Sequence, residues 1–132
     1  MPREILRTSV GQRHTSPIPQ GAIANGFLFL SAIRGLDVER QKVIEDIELQ
    51  ARQCFKVLSA TLESAGASLD DVVHVAVYMK HLQKNRPIFN KVWEEVFGDN
   101  PPARFAAEVT DIGTADGLTE FLLSVTVALP RS

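Results

Sequence analysis

The chain contains a single cysteine, Cys54, so no internal disulfide can form and a reducing, cytoplasmic setting is expected. Cys54 sits on an apolar helical stripe and reads as a small buried hydrophobe rather than a nucleophile. Basic residues do not outnumber acidic ones: 14 Lys and Arg face 16 Asp and Glu, for a net charge of -2. That balance removes the electrostatic ground for a nucleic-acid partner. With one Trp, one Tyr and seven Phe, few aromatics are expected on the surface, which leaves little for base stacking. The histidines His14, His74 and His81 are dispersed and no His/Cys/Glu cluster has ligand spacing, so no metal is expected. No apolar run approaches the ~20 residues of a membrane span, and the start of the chain carries no secretory signal.

What is present is a moderately charged composition, 45% hydrophobic over 132 residues, enough for one domain across 1–132 with its own core. Residues 1–20 are polar and proline-punctuated, with Arg3, Arg7 and Arg13 forming a sparse basic head. Asn25-Gly26 is a hairpin dipeptide, so Ile5–Ser9, Ala22–Ala24 and Phe27–Ala32 can form a small antiparallel meander. Gly35 to Val43 is charged and without periodicity, a connection. Between Glu45 and Ser64 the apolar positions Ile47, Ala51, Cys54, Phe55, Leu58 and Leu62 fall on one helical stripe, with Gly66 placed to end it. Val72–Met79 is β-branched and reads as a strand. Pro87–Phe97 is a second amphipathic helix with Pro87 in its first turn, Phe89 and Trp93 in the core. Arg104–Val109 and Glu120–Leu129 are the last strands.

This order predicts an α+β domain, with two helices packed on one face of a mixed sheet. The opposite face would carry Leu122, Ser124, Thr126 and Ala128 in register with Glu120, and Val72, Ala76 and Tyr78 from the central strand. Two helices cover one side only, so a partner chain is expected on the other, in a closed homo-oligomer. In Pro101-Pro102-Ala103-Arg104-Phe105 a double proline stiffens the approach to Arg104. A guanidinium held this way can grip a carboxylate through two parallel hydrogen bonds.

The run Asp46-Ile47-Glu48-Leu49-Gln50-Ala51-Arg52-Gln53, the block from Leu62 to Val73, Phe89-Asn90-Lys91-Val92-Trp93 and Pro102-Ala103-Arg104 together resemble the Rid/YjgF family. These are the reactive intermediate deaminases, also called the L-PSP endoribonuclease family. The resemblance implies a chorismate-mutase-like fold, assembled as a homotrimer whose sheets face a central barrel, with ligand clefts between subunits. It implies hydrolysis of enamine/imine intermediates of the 2-imino acid type to keto acids and ammonia, without cofactor. Arg104 then matches the arginine that binds the substrate carboxylate, and Glu120 the glutamate that positions the attacking water. Ser31 and Asn90 match residues lining the cleft. Four positions depart from the family pattern: Ile18 stands at a tyrosine, Ala32 at a glycine, Ala106 at a cysteine and Leu122 at a second glutamate. Ile18, Ala32 and Ala106 should therefore shape a more apolar pocket. A non-catalytic carboxylate binder is the alternative reading, and an endoribonuclease the least favoured.

Overall fold

The computed structural model describes residues 2–8, 10–14, 17–114 and 116–130. Its centre is a six-stranded mixed sheet with strand order β1-β2-β3-β8-β6-β7. The strands are β1 (Glu4–Leu6), β2 (Gly21–Ala24), β3 (Phe27–Leu30), β6 (Val72–Met79), β7 (Ala103–Glu108) and β8 (Phe121–Ala128). All neighbours are antiparallel except β6 and β7, which run parallel. Helices α1 (Ile47–Ser64) and α2 (Leu82–Phe97) cover one face. The α+β expectation is met.

Each helix is set by its ends and its stripe. The Asp46 side chain caps α1 by accepting from Leu49 N–H. At the other end Gly66 takes φ 75°. There Gly66 N–H donates to Glu63 and Ala67 N–H to Leu62, the paired bonds that close a Schellman turn. The buried stripe of α1 is Ala51, Cys54, Phe55, Val57, Leu58 and Leu62. It packs on Leu28, Val75, Val77, Leu123 and Val125 of the sheet. Burying each large apolar side chain of this kind stabilises the fold by about 1.5–3 kcal/mol. Phe89 and Phe121 lie 5.2 Å apart and join α2 to β8.

Gln50 is a polar residue in this core, wholly buried. Its Nε2 donates to the carbonyls of Ile44 and Leu118, while its Oε1 accepts from Glu120 N–H at 2.7 Å and Phe121 N–H at 3.3 Å. One amide thus satisfies four backbone groups where α1 meets the start of β8.

Four expectations need correction. The stretch 35–43 is not a plain connection: β4 (Leu36–Asp37) and β5 (Lys42–Val43) pair as a short ribbon. The Asp37 carboxylate closes its turn by accepting from Arg40 N–H. Pro87 is not in the first turn of α2 but in its sixth position, because the helix begins at Leu82. The added turn is held by Glu108, whose carboxylate accepts from Leu82 N–H at 2.9 Å. Finally, Val72 faces the core rather than the second face, because a bulge between Val72 and His74 shifts the alternation. The first strand is Glu4–Leu6, shorter than Ile5–Ser9, and Ser9 lies outside the described residues.

The uncovered face is built from His74, Ala76 and Tyr78 of β6, Phe105 of β7, Leu122, Ser124 and Thr126 of β8, and Phe27 and Phe29 of β3. Phe27, Phe29 and Phe105 are 41%, 50% and 47% exposed. Phe27 and Phe29 stand together on β3, and Phe105 packs beside His74 and Tyr78 toward the other edge.

Candidate functional site

Arg104 is the second residue of β7, paired with Val75, and its side chain turns toward the helices. Its guanidinium lies 4.9 Å from the Trp93 ring and 5.7 Å from that of Phe89. Nη2 donates to Asn90 Oδ1 at 2.7 Å. Burial, with Arg86 nearby, lowers its pKa from the ordinary value, yet an arginine stays charged. The stacking on α2 was not legible in Pro-Ala-Arg, although Phe89, Asn90 and Trp93 at helical spacing carried the signal. Ala106, two residues on, points the same way and packs half-buried against the core.

Glu120 stands at the other end of the sheet. Its carbonyl accepts from Lys80 N–H, so it lies five strand residues from Arg104's partner Val75, ~16 Å along β6. His81 Nδ1 is 2.9 Å from its Oε1, Asn85 Nδ2 donates to the same oxygen at 3.0 Å, and Lys80 Nζ lies 3.4 Å from Oε2. Burial alone would raise its pKa, but the contacts from His81, Asn85 and Lys80 hold it below the ordinary value. Arg104 and Glu120 therefore do not meet within one chain; they are also fastened to different turns of α2.

A third group of expected residues does come together. Ile18 and Ala32 line an open cleft of about 620 Å³, with Leu122 as a further wall. Ser31 stands at its edge, where its hydroxyl donates to Pro19 carbonyl at 2.7 Å and ties β3 to the segment carrying Ile18. Ser16 of that segment lies outside the described residues. The remaining walls include Gln12, Arg13, His14, Arg34, Thr114 and Asp116. The charged members were not anticipated. Their signal was alternation: Ile33 points into the core at 1% exposure, which leaves Ala32 and Arg34 on the cleft side. Gln12 is 3% exposed, and its Oε1 accepts from Arg34 N–H at 2.8 Å, fixing that backbone.

Cys54 is fully buried and its thiol is pushed up to about 12, first by burial, so it offers no nucleophile. Among the described residues no group of three or more His, Cys, Asp or Glu side chains could hold a metal. Likewise none of the described helices is long and apolar enough to cross a membrane.

A six-stranded mixed sheet, two helices on one side, an open face on the other and a cleft beside it define the class: a small α+β domain with an open cleft at a sheet margin. The profile of the Endoribonuclease L-PSP family matches residues 14–123. A RutC family protein of Pyrococcus abyssi is 35% identical over 111 residues, 83% of this chain and 87% of that one. The 2-iminobutanoate/2-iminopropanoate deaminase of Dermatophagoides farinae is 27% identical over 112 residues, 84% of this chain and 87% of its own. The crystal structure of yeast Mmf1 superimposes with a TM-score of 0.88 at 22% identity, over 98% of this chain and all of that one, and shares the fold. The chain belongs to the Endoribonuclease L-PSP family, known also as the Rid/YjgF family.

Proposed function

We propose that the protein hydrolyses carboxylate-bearing imines and enamines to keto acids, in clefts formed between copies of itself. The observation that carries this reading is the separation of Arg104 from Glu120. A small imino acid cannot span ~16 Å, so the two serve one substrate only when they come from different chains. A closed homotrimer of the chorismate-mutase-like kind supplies that arrangement and covers the open face with Phe27, Phe29 and Phe105.

In this reading Arg104 of one copy grips the substrate carboxylate at the cleft edge of the next. Stacking on Trp93 and the bond to Asn90 fix its guanidinium before substrate arrives. The iminium carbon is already electrophilic. Water adds to it, its protons pass to the departing nitrogen, and the C–N bond breaks to leave the keto acid and ammonium. Glu120 orients that water through Oε2, which among the described residues only Lys80 engages, and its lowered pKa keeps it ionised as an acceptor. The deaminase among the relatives supports this chemistry.

One observation favours a second reading, in which the cleft binds a carboxylate without turning it over. The β8 side chain lining the cleft is Leu122, which can hold no water. Freshly generated 2-imino acids decide between the two. The deaminase reading expects ammonia release well above the spontaneous rate, lost in Arg104→Ala. Saturable keto-acid binding without any acceleration would instead establish the binder.

A further inference from the structure

The cleft beside β3 keeps a positive balance of its own, without counting Arg104. Arg13, His14 and Arg34 line it and Asp116 is its one acidic wall, in a chain whose net charge is -2. Asp116 forms an ion pair with Arg34, but through Nη1 alone among the described residues. Its Oδ1 already takes donors from Thr114 Oγ1, Leu118 N–H and Thr119 N–H, and its Oδ2 lies 3.4 Å from Arg34 Nη1, a long contact. Arg34 Nη1 also reaches Thr119 Oγ1 at 3.3 Å; its Nη2 and Nε find no acceptor among the described residues. The side chain is 22% exposed, so part of its charge is withdrawn from water. His14 is held below its ordinary pKa by burial and then by Arg34, and so is mainly neutral near pH 7. Ile18, Ala32 and Leu122 form the apolar wall between.

We infer that this cleft selects a dianionic substrate, an imine or enamine of a dicarboxylate, with Arg34 and Arg13 receiving the second carboxylate. The inference rests on the carboxylate-cleft reading above: Arg104 takes the carboxylate beside the reacting carbon, and Arg34 the distal one. Arg34 is the specificity-determining residue, since its backbone is fixed by Gln12 and its two free N–H groups match the two oxygens of a carboxylate. His14 adds a neutral donor or acceptor without repelling the anion.

A matched pair of keto acids tests this by calorimetry on the wild-type oligomer. 2-Oxoglutarate and 2-oxopentanoate share a five-carbon chain and differ in the terminal carboxylate. The expected result is at least tenfold tighter binding of 2-oxoglutarate, with the preference falling to about threefold or less in Arg34→Gln and partly in Arg13→Gln. Arg104→Gln should weaken both ligands and keep their ratio. Equal binding of the two by the wild type, or an unchanged ratio in both Arg34→Gln and Arg13→Gln, overturns the dianion inference while leaving the carboxylate cleft standing. Binding of neither ligand overturns both.

Discussion

The two faces of the central sheet are made by the same strands and end in opposite states. Toward the helices, β8 contributes Phe121, Leu123, Val125 and Val127, each 2% exposed or less. Away from them, the same strand shows Leu122, Ser124, Thr126 and Ala128, partly or fully open, beside the exposed rings of β3 and β7. The first face is completed by the chain itself; the second stays open. The difference teaches that folding and the proposed assembly would draw on separate sets of residues, divided by the alternation of one strand. The proposed site falls on the boundary, because Arg104 projects from the helix-covered side of an edge strand and the cleft opens at the sheet's margin.

The sharpest way to break this division is to damage each face separately. Leu123→Ala should cost about 3–4 kcal/mol of stability, a buried leucine truncated in a packed core, read as a lower midpoint in urea. Phe29→Lys on the open face should leave the secondary structure intact by circular dichroism. It should shift the sedimenting species to a monomer and abolish deamination. A monomer that retains full turnover would sink the intersubunit cleft. Third in size, Arg104→Gln should lower kcat/KM by about 10–100-fold, the loss of a hydrogen bond to a charged group, with little change in midpoint. The smallest effect belongs to Glu120. Its folded pKa lies below the ordinary 4.5, so its stabilising contribution is present above that value and is lost as pH falls through the folded one. Glu120→Gln should therefore be less stable than wild type near neutral pH, and the gap should close on acidification below about pH 4.5. A constant gap in thermal midpoint across that range would show that the carboxylate's charge is not what matters.

Much of the scaffold was legible in the residues. Val72–Met79 reads as a strand from its β-branched run alone, and the α1 stripe closes on Gly66 as turn chemistry requires. Pro87 misled because proline at a helix start is the commoner case. The extra turn before it depends on Glu108, a residue from a strand 26 positions away that no local signal announces. The bulge that turns Val72 inward is also a tertiary matter. Of the site, Arg104 was legible from the double proline before it and was matched by the resemblance, which also supplied Asn90, Ile18 and Ala32; Arg104 and Asn90 touch one another. Arg34 was missed because an isolated arginine beyond a strand looks like a solvated charge, and only the fold brings Arg13 and His14 beside it. The distance between Arg104 and Glu120 was hidden for a plainer reason: sixteen positions along the chain say nothing about which ends of the sheet they reach.

Gln50 carries one more implication. By holding the amides of both Glu120 and Phe121 on a single oxygen, it sets the phase of β8. Were the strand to slide by one residue, every even-numbered side chain would exchange sides with its odd-numbered neighbour, and the carboxylate of Glu120 would be driven into the phenylalanine cluster. A helix side chain thus acts as the reading-frame marker for the strand, and the division of the molecule into an inward and an outward surface is kept in register by one buried amide.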